Sequence, residues 1–181
     1  MTNWTWRTIK QVAEVRLGKM VQPNQVNDTD IEAQYLRAAH MQPEGRLIEV
    51  DDKAMWFGPS ELRGLDLLAG DVVVVEGGAG FGRSAYLQES LDGWGFQNSI
   101  VRVRPKPTLS DGRFLNYVFQ TLLSSGRTEL EASVATIPHY TAEKVASTRH
   151  PMPPVEIQTA IADFLDRETA QIDAMIEAQE A

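Results

Sequence analysis

Gly70-Asp71-Val72-Val73-Val74-Val75-Glu76-Gly77-Gly78-Ala79-Gly80-Phe81-Gly82-Arg83-Ser84 is the stretch that decides the fold class. Four consecutive β-branched side chains lose rotamer freedom in a helix and pack well on a pleated surface, so Val72–Val75 reads as a strand. Both of its faces are apolar, which places it in the interior with cover on each side. Working outward, Ser99-Ile100-Val101-Arg102-Val103-Arg104 alternates as a second strand. Its period puts Arg102 and Arg104 on one face and Ile100 among the neighbours of the other, and Pro105 and Pro107 end it. Arg46-Leu47-Ile48-Glu49-Val50 reads as a third strand.

Helical signals sit between and after these runs. Phe114, Leu115, Val118, Phe119, Leu122 and Leu123 recur at helical spacing over Arg113–Leu123, and Ser124-Ser125-Gly126 closes that helix. Trp6 to Val15 reads as a short helix, or helix then strand, broken at Gly18. Val21 to Ile31 is a loop, with Pro23, Asn24, Asn27, Asp28 and Asp30 as turn formers. Mixed strands and helices in this order predict an α+β fold, a mixed β-sheet with peripheral helices.

Pro151, Pro153 and Pro154 form a stiff spacer, because proline lacks an N–H and restricts the residue before it. The spacer divides the chain into a domain over 1–154 and a helix over 155–181. In that helix Ile161, Leu165, Ile172 and Met175 fall on a 4, 7, 3 spacing, flanked by Ile157, Phe164 and Ile176 and interrupted by Glu168. Such a stripe packs on its own domain, the ordinary fate of an amphipathic helix, or pairs with another chain.

Composition narrows the function classes. With 181 residues, 43% hydrophobic and 23% charged, the chain suits one globular core with an appendage. The absence of cysteine excludes disulfides, thiolate zinc sites and cysteine nucleophiles, and a cytoplasmic location is expected. The longest apolar run, Val72–Val75, is far short of the roughly 20 residues that span a bilayer. Net charge is -8, which taken whole disfavours a polyanionic partner. The charge is uneven, however: residues 156–181 hold seven carboxylates and one arginine. Between Arg83 and Arg127, Arg83, Arg102, Arg104, Lys106, Arg113 and Arg127 outnumber Glu89, Asp92 and Asp111. An acidic tail can therefore conceal a basic face, and ordinary surface charge is the plainer alternative.

Catalysis has no visible home. The glycine loop lacks the Gly-Lys-Ser/Thr of a nucleotide loop, because Arg83 stands before Ser84, and it lacks the dinucleotide spacing. It is either a glycine-rich hairpin turn or a loop in which backbone, Phe81 and Arg83 approach a ligand closely. Arginine's fork suits phosphate or a guanine edge, and the amides of Gln97 and Asn98 suit adenine. His40, His139 and His150 share no metal-ligand spacing, and no Gly-x-Ser-x-Gly elbow occurs.

The order of these pieces resembles the specificity subunit of type I restriction-modification systems, in particular one target recognition domain with the helix that follows it. The stretches carrying the resemblance are Val12-Ala13-Glu14-Val15-Arg16-Leu17-Gly18-Lys19, Tyr35-Leu36-Arg37-Ala38-Ala39, Gly70 to Gly78, Gly82-Arg83-Ser84-Ala85 and Gln97-Asn98. Ile137-Pro138-His139-Tyr140 and Pro151-Met152-Pro153-Pro154-Val155-Glu156-Ile157-Gln158, running into Ile161-Ala162-Asp163-Phe164-Leu165-Asp166, complete them. The family's usual Glu-Gln at the start of the helix is here Glu156-Ile157-Gln158.

The resemblance implies a module without chemistry of its own that reads one half of a bipartite site on double-stranded DNA. It implies a modification subunit carrying S-adenosylmethionine and a restriction subunit using ATP and magnesium, with no cofactor on this chain. Family subunits carry two recognition domains, whereas this chain has one. It is therefore expected to be a half-size subunit that dimerises through residues 157–181, by Ile157, Ile161, Leu165, Ile172 and Met175, or a fragment of a longer chain. The residues expected near DNA are Lys19, Arg37, Gly80, Phe81, Arg83, Ser84, Gln97, Asn98 and Lys106, with Lys19 and Lys106 on phosphates. The competing readings are a dimeric adaptor without DNA selectivity and a small nucleotide-binding enzyme using the Gly77–Gly82 loop.

Overall fold

The computed structural model describes residues 4–43, 45–48, 53–132 and 139–180. The chain begins with β1 (Thr5–Thr8), one helical turn α1 (Ile9–Val12) and β2 (Ala13–Leu17), then β3 (Ile31–Leu36), β4 (Ala54–Phe57), α2 (Pro59–Gly64) and β5 (Val72–Val75). β6 (Ser84–Tyr86), β7 (Gly95–Phe96) and β8 (Ile100–Pro105) follow. Then come α3 (Gly112–Ser124), α4 (Arg127–Glu131), α5 (Ala142–Ser147), β9 (Arg149–Met152) and α6 (Val155–Glu180).

A four-stranded antiparallel sheet in the order β2-β8-β5-β6 forms the centre, and β5 is fully buried. Its alternate side chains feed two cores. Val72 and Val74, with Val101 and Val103 of β8, pack under α1, α3 and α5 through Ile9, Val12, Phe114, Leu115, Val118, Phe119 and Val145. Val73, Val75 and Ile100 pack against a smaller sheet, β4-β3-β7, through Tyr35, Leu36, Met55, Phe57 and Phe96. In this smaller sheet β3 runs antiparallel to β4 and parallel to β7, so the mixed α+β architecture expected from sequence is the one formed. β1 pairs with β9, joining the first strand to the run before α6.

Two local expectations change. Ile100 shares a face with Arg102, toward the smaller sheet; the alternating neighbours on the helical face are Val101 and Val103. A strict two-residue period requires this, since 100, 102 and 104 have the same parity. The expected strand over 46–50 is absent among its described residues. Leu47 makes one isolated bridge to Met41, and a tight turn closed by Gln42 and Arg46 precedes it. Its Glu49-Val50 end lies outside the described residues, as do Asp51, Asp52, Ile137 and Pro138.

Four of the six cations in the arginine-rich segment are ion-paired within the fold, so the segment as a whole does not form a basic face. Arg102, 1% exposed, donates to Glu14 at 2.8 Å and Asp66 at 2.7 Å and lies over the Phe96 ring. Arg104 grips both carboxylate oxygens of the buried Asp71 at 2.8 Å, which raises its pKa further. Arg127 pairs with Glu131, and Arg113 pairs with Asp163 and Asp166 of α6. Six cations close in sequence are thus drawn to carboxylates from elsewhere in the chain or to backbone carbonyls, a pairing no linear count of charge reveals.

The α6 stripe divides along its length into a root packed on its own domain and an exposed remainder. Gln158 and Ala162 are fully buried and Ile161 packs on the helical core, whereas every side chain from Arg167 to Gln179 is exposed. Among the described residues, no helix is long and apolar enough to cross a membrane.

Candidate nucleic-acid interface

The C-terminal ends of β2 and β5 and the N-terminal ends of β6 and β8 lie at the same end of the central sheet, as the strand register requires. The loops leaving that end bring together residues up to about 80 positions apart. Gly18 N donates to Ile100 O and Lys19 N to Phe96 O, both at 3.0 Å, while Asn98 N donates to Lys19 O at 2.8 Å. Gln97 N donates to Leu36 O at 2.9 Å and bridges Lys19, which places Arg37 beside the two amides. Arg83 joins the group from the glycine loop, its Nη1 donating to Met41 O at 3.2 Å just beyond Arg37. Lys19, Arg37, Arg83, Gln97 and Asn98 therefore converge, and all are partly accessible.

The glycine loop is the connection of the β5–β6 hairpin. Gly78 and Gly82 have φ of +79° and +74°, the left-handed region that glycine alone enters cheaply. A strand follows the loop, so no helix N-terminus faces it. Gly80 is buried and Phe81 leans on the helical core, so their part in this end is to shape the loop.

Ser84 is buried, its hydroxyl donating to Asn116 Oδ1 at 2.8 Å, and so ties the sheet to α3. Lys106 lies just past the far end of β8, whose six residues span about 17 Å at ordinary strand rise. There its ammonium donates to the carbonyls of Lys10 and Gln11 at 3.2 Å, closing the C-terminus of α1. Lys19 combines an ion pair to Glu61 with a position 5.7 Å over the Phe57 ring, and its side chain is 15% exposed. On the helix, Ile157, Ile172 and Met175 are exposed, Leu165 is half-buried and Ile161 is packed on its own domain.

Several residues at this end are not among those expected near DNA. Glu76 N donates to Ser99 O, Tyr140 N donates to Glu76 O, and His139 lies against Gly77. Burial raises the Glu76 carboxyl above the ordinary glutamate range, with the nearby His139 opposing the shift. The neighbouring loop is stiffened by Asp30, whose carboxylate accepts the amides of Val26 and Asn27 at 3.0 Å and is held below its usual pKa by them. That loop displays Met20 and Val26, 75% and 72% exposed. Among the described residues no group of histidines and carboxylates could hold a metal. The donors present suit phosphate oxygens and base edges rather than bond making.

Glu76, at the start of the glycine loop, is a carboxylate whose charge opposes a polyanion. Glu76→Gln is expected to raise affinity for random-sequence DNA about two- to fivefold at low salt, the factor one partly screened charge supplies. A raised carboxyl takes up a proton on folding, so its contribution to stability falls as pH rises through the window above the ordinary glutamate value. The variant should lack this slope in denaturation curves. Unchanged affinity in a fluorescence titration would remove Glu76 from the DNA-facing surface.

The family described as the type I restriction modification DNA specificity domain has a model that matches residues 1–180. No curated protein matches the chain. Among solved structures, a chain from work on the assembly and conformational transition of the type I R-M system shares 19% identity at a TM-score of 0.68, covering 98% of this chain and 41% of that one. The HsdS subunit from Thermoanaerobacter tengcongensis gives 18% and 0.66, covering 98% and 40%. The S subunit of a type I restriction-modification system from M. genitalium gives 17% and 0.61, covering 97% and 41%. At these identities the likeness is one of fold, and the chain spans about two fifths of each of those chains.

Proposed function

Since the chain belongs to the type I restriction modification DNA specificity family, we propose that it reads one half of a bipartite site on double-stranded DNA without itself performing chemistry. The observation that carries this reading is the convergence of Lys19, Arg37, Arg83, Gln97 and Asn98 at one end of a rigid sheet. Rigid placement suits sequence reading, because a bidentate amide or guanidinium contact loses its discrimination when its geometry slackens. Lys19 and Arg37 position on phosphates, and Arg83, Gln97 and Asn98 face base edges. Gly80 and Phe81 hold the hairpin loop in shape, Ser84 supports it from beneath, and Lys106 does not belong to this surface.

Partner subunits complete the function: a modification subunit that carries S-adenosylmethionine and methylates adenine, and a restriction subunit that uses ATP and magnesium. The exposed face of α6, with Ile157 in its first turn and Ile172 and Met175 further out, pairs with the same helix of a second copy, and residues 155–181 act as spacer to the domain over 1–154. A cytoplasmic location follows from the DNA substrate.

The test is the adenine methylome of a host expressing this chain with its neighbouring modification subunit, against one expressing the modification subunit alone. A new interrupted motif appearing only with this chain is the expected result, palindromic if two copies act together. No new motif would overturn the reading.

A further inference from the structure

α6 is a lever with a short root. Its 26 residues span about 39 Å, and beyond Asp166 its side chains leave the domain. A tilt of about 10° at the root moves the far end by roughly 7 Å, the axial rise of about two base pairs. Whatever fixes the tilt therefore fixes the distance between whatever the two ends of the assembly hold.

The root contacts fall into two groups. At the first turn, Gln158 Oε1 accepts Asp111 N at 3.1 Å, and its Nε2 donates to Leu109 O at 3.1 Å and Pro153 O at 2.8 Å. Thr159 donates to Asp111 Oδ2 at 2.9 Å, while Asp111 Oδ1 caps α3 by accepting the amides of Arg113 and Phe114. These bonds locate the helix but act close to a single point. One to two turns further, Arg113 bridges Asp163 at 2.7 Å and Asp166 at 2.8 Å, and Tyr117 OH donates to Asp166 Oδ1 at 2.7 Å. Burial works against the Arg113 charge, yet the two carboxylates hold its pKa above the ordinary arginine value.

Arg113, Tyr117 and Asp166 stand at an open cleft of about 320 Å³ between the two helices, which extends past them to Gln120, Thr169 and Asp173. The packing there leaves room for α6 to swing toward α3, so the second contact group, together with the buried Ala162 and the packed Ile161, opposes rotation about the first.

We propose that Arg113, Tyr117, Asp163 and Asp166 form an angular clamp that sets the direction of α6 and so selects the spacing between the two half-sites. This rests on the bipartite reading of the preceding section. All four are positioning residues, since none lies at the end of the sheet that carries Gln97 and Asn98. Because their side chains are partly exposed, their loss should leave the domain folded.

The test uses Arg113→Gln, Tyr117→Phe and Asp166→Ala in the complex with the modification subunit, on DNA carrying the same half-sites at the preferred spacing and one or two base pairs to either side. Wild type should methylate one spacing. The variants should keep the half-site sequences but gain about tenfold at adjacent spacings relative to the preferred one, which corresponds to about 1.4 kcal/mol of lost angular discrimination. Arg113→Lys, which retains one charged donor, should restore part of the stringency. A readout independent of methylation is the distance between spin labels on Glu89→Cys and Glu177→Cys, the chain having no native cysteine. It should broaden in Arg113→Gln. Variants that keep a single spacing and a narrow label distance overturn the clamp alone, whereas wild type without any bipartite methylation overturns the clamp together with the function it rests on.

Discussion

Gln158→Ala is expected to lower the unfolding free energy by about 3–5 kcal/mol, a large share of the margin of a domain this size. The side chain is fully buried, and its amide serves Asp111 N, Leu109 O and Pro153 O. Truncation strands one backbone donor and two acceptors where water does not replace the partner, at about 1–3 kcal/mol for each group left unsatisfied. The three groups come from the turn before α3 and the proline segment before α6, so the loss spreads to both helix origins. Gln158→Glu should be nearly as damaging, because a carboxylate cannot donate to the two carbonyls and a buried unpaired charge is costly. Urea denaturation monitored by tryptophan fluorescence measures it. A loss below about 1 kcal/mol would mean that the amide's partners find water instead.

Gly18→Ala carries the second large effect, and it couples the fold to the reading surface. A Cβ at Gly18 would lie 2.2 Å from Gln97 O and 2.5 Å from Phe96 O. Those atoms are backbone, so no flexible side chain can yield, and the end of β2 must separate from the β7–β8 connection. The bonds at risk are Gly18 N to Ile100 O, Lys19 N to Phe96 O and Asn98 N to Lys19 O, the same bonds that join Lys19 to Gln97 and Asn98. About 3 kcal/mol of destabilisation is expected, the upper range for forced overpacking. At a temperature where the variant is still folded, methylation of the target motif should fall to background. Full methylation with a normal melting temperature would show that the two segments part without moving Gln97 and Asn98, and would weaken their assignment to DNA.

Much of the architecture was legible locally. The Val72–Val75 run declared a strand buried on both faces, and all four residues are 0% exposed. The apolar spacing of Arg113–Leu123 declared α3, and Asp111 caps it one turn before the first buried phenylalanine. The prolines before Val155 and the unbroken run after them declared α6. β3, β4 and β7 carried weaker signals. β3 and β4 mix polar and apolar residues without a clean period, and β7 is only two residues long, held by parallel pairing to β3.

For the site, residue type was legible and availability was not. Lysine, arginine and side-chain amides mark polyanion chemistry wherever they stand, and five of the nine expected residues meet at one end of the sheet. Ser84 and Lys106 carry the same chemical potential, but the fold directs one hydroxyl to Asn116 and the other residue's ammonium to two carbonyls of α1. His139 shows the converse, a histidine without metal-ligand spacing and not expected near DNA, which the fold sets beside Glu76 and the glycine loop.

By itself the sequence determined the class of each long, strongly periodic element, the mixed α+β character and the helical nature of everything after Pro154, because periodicity and proline restrictions act within a few residues. Only the tertiary structure decided which cations remain for a partner and where α6 points. Arg102 meets Glu14 across 88 residues and Arg113 meets Asp166 across 53, and contacts at such separations are chosen by the folding of the whole domain rather than by local pattern.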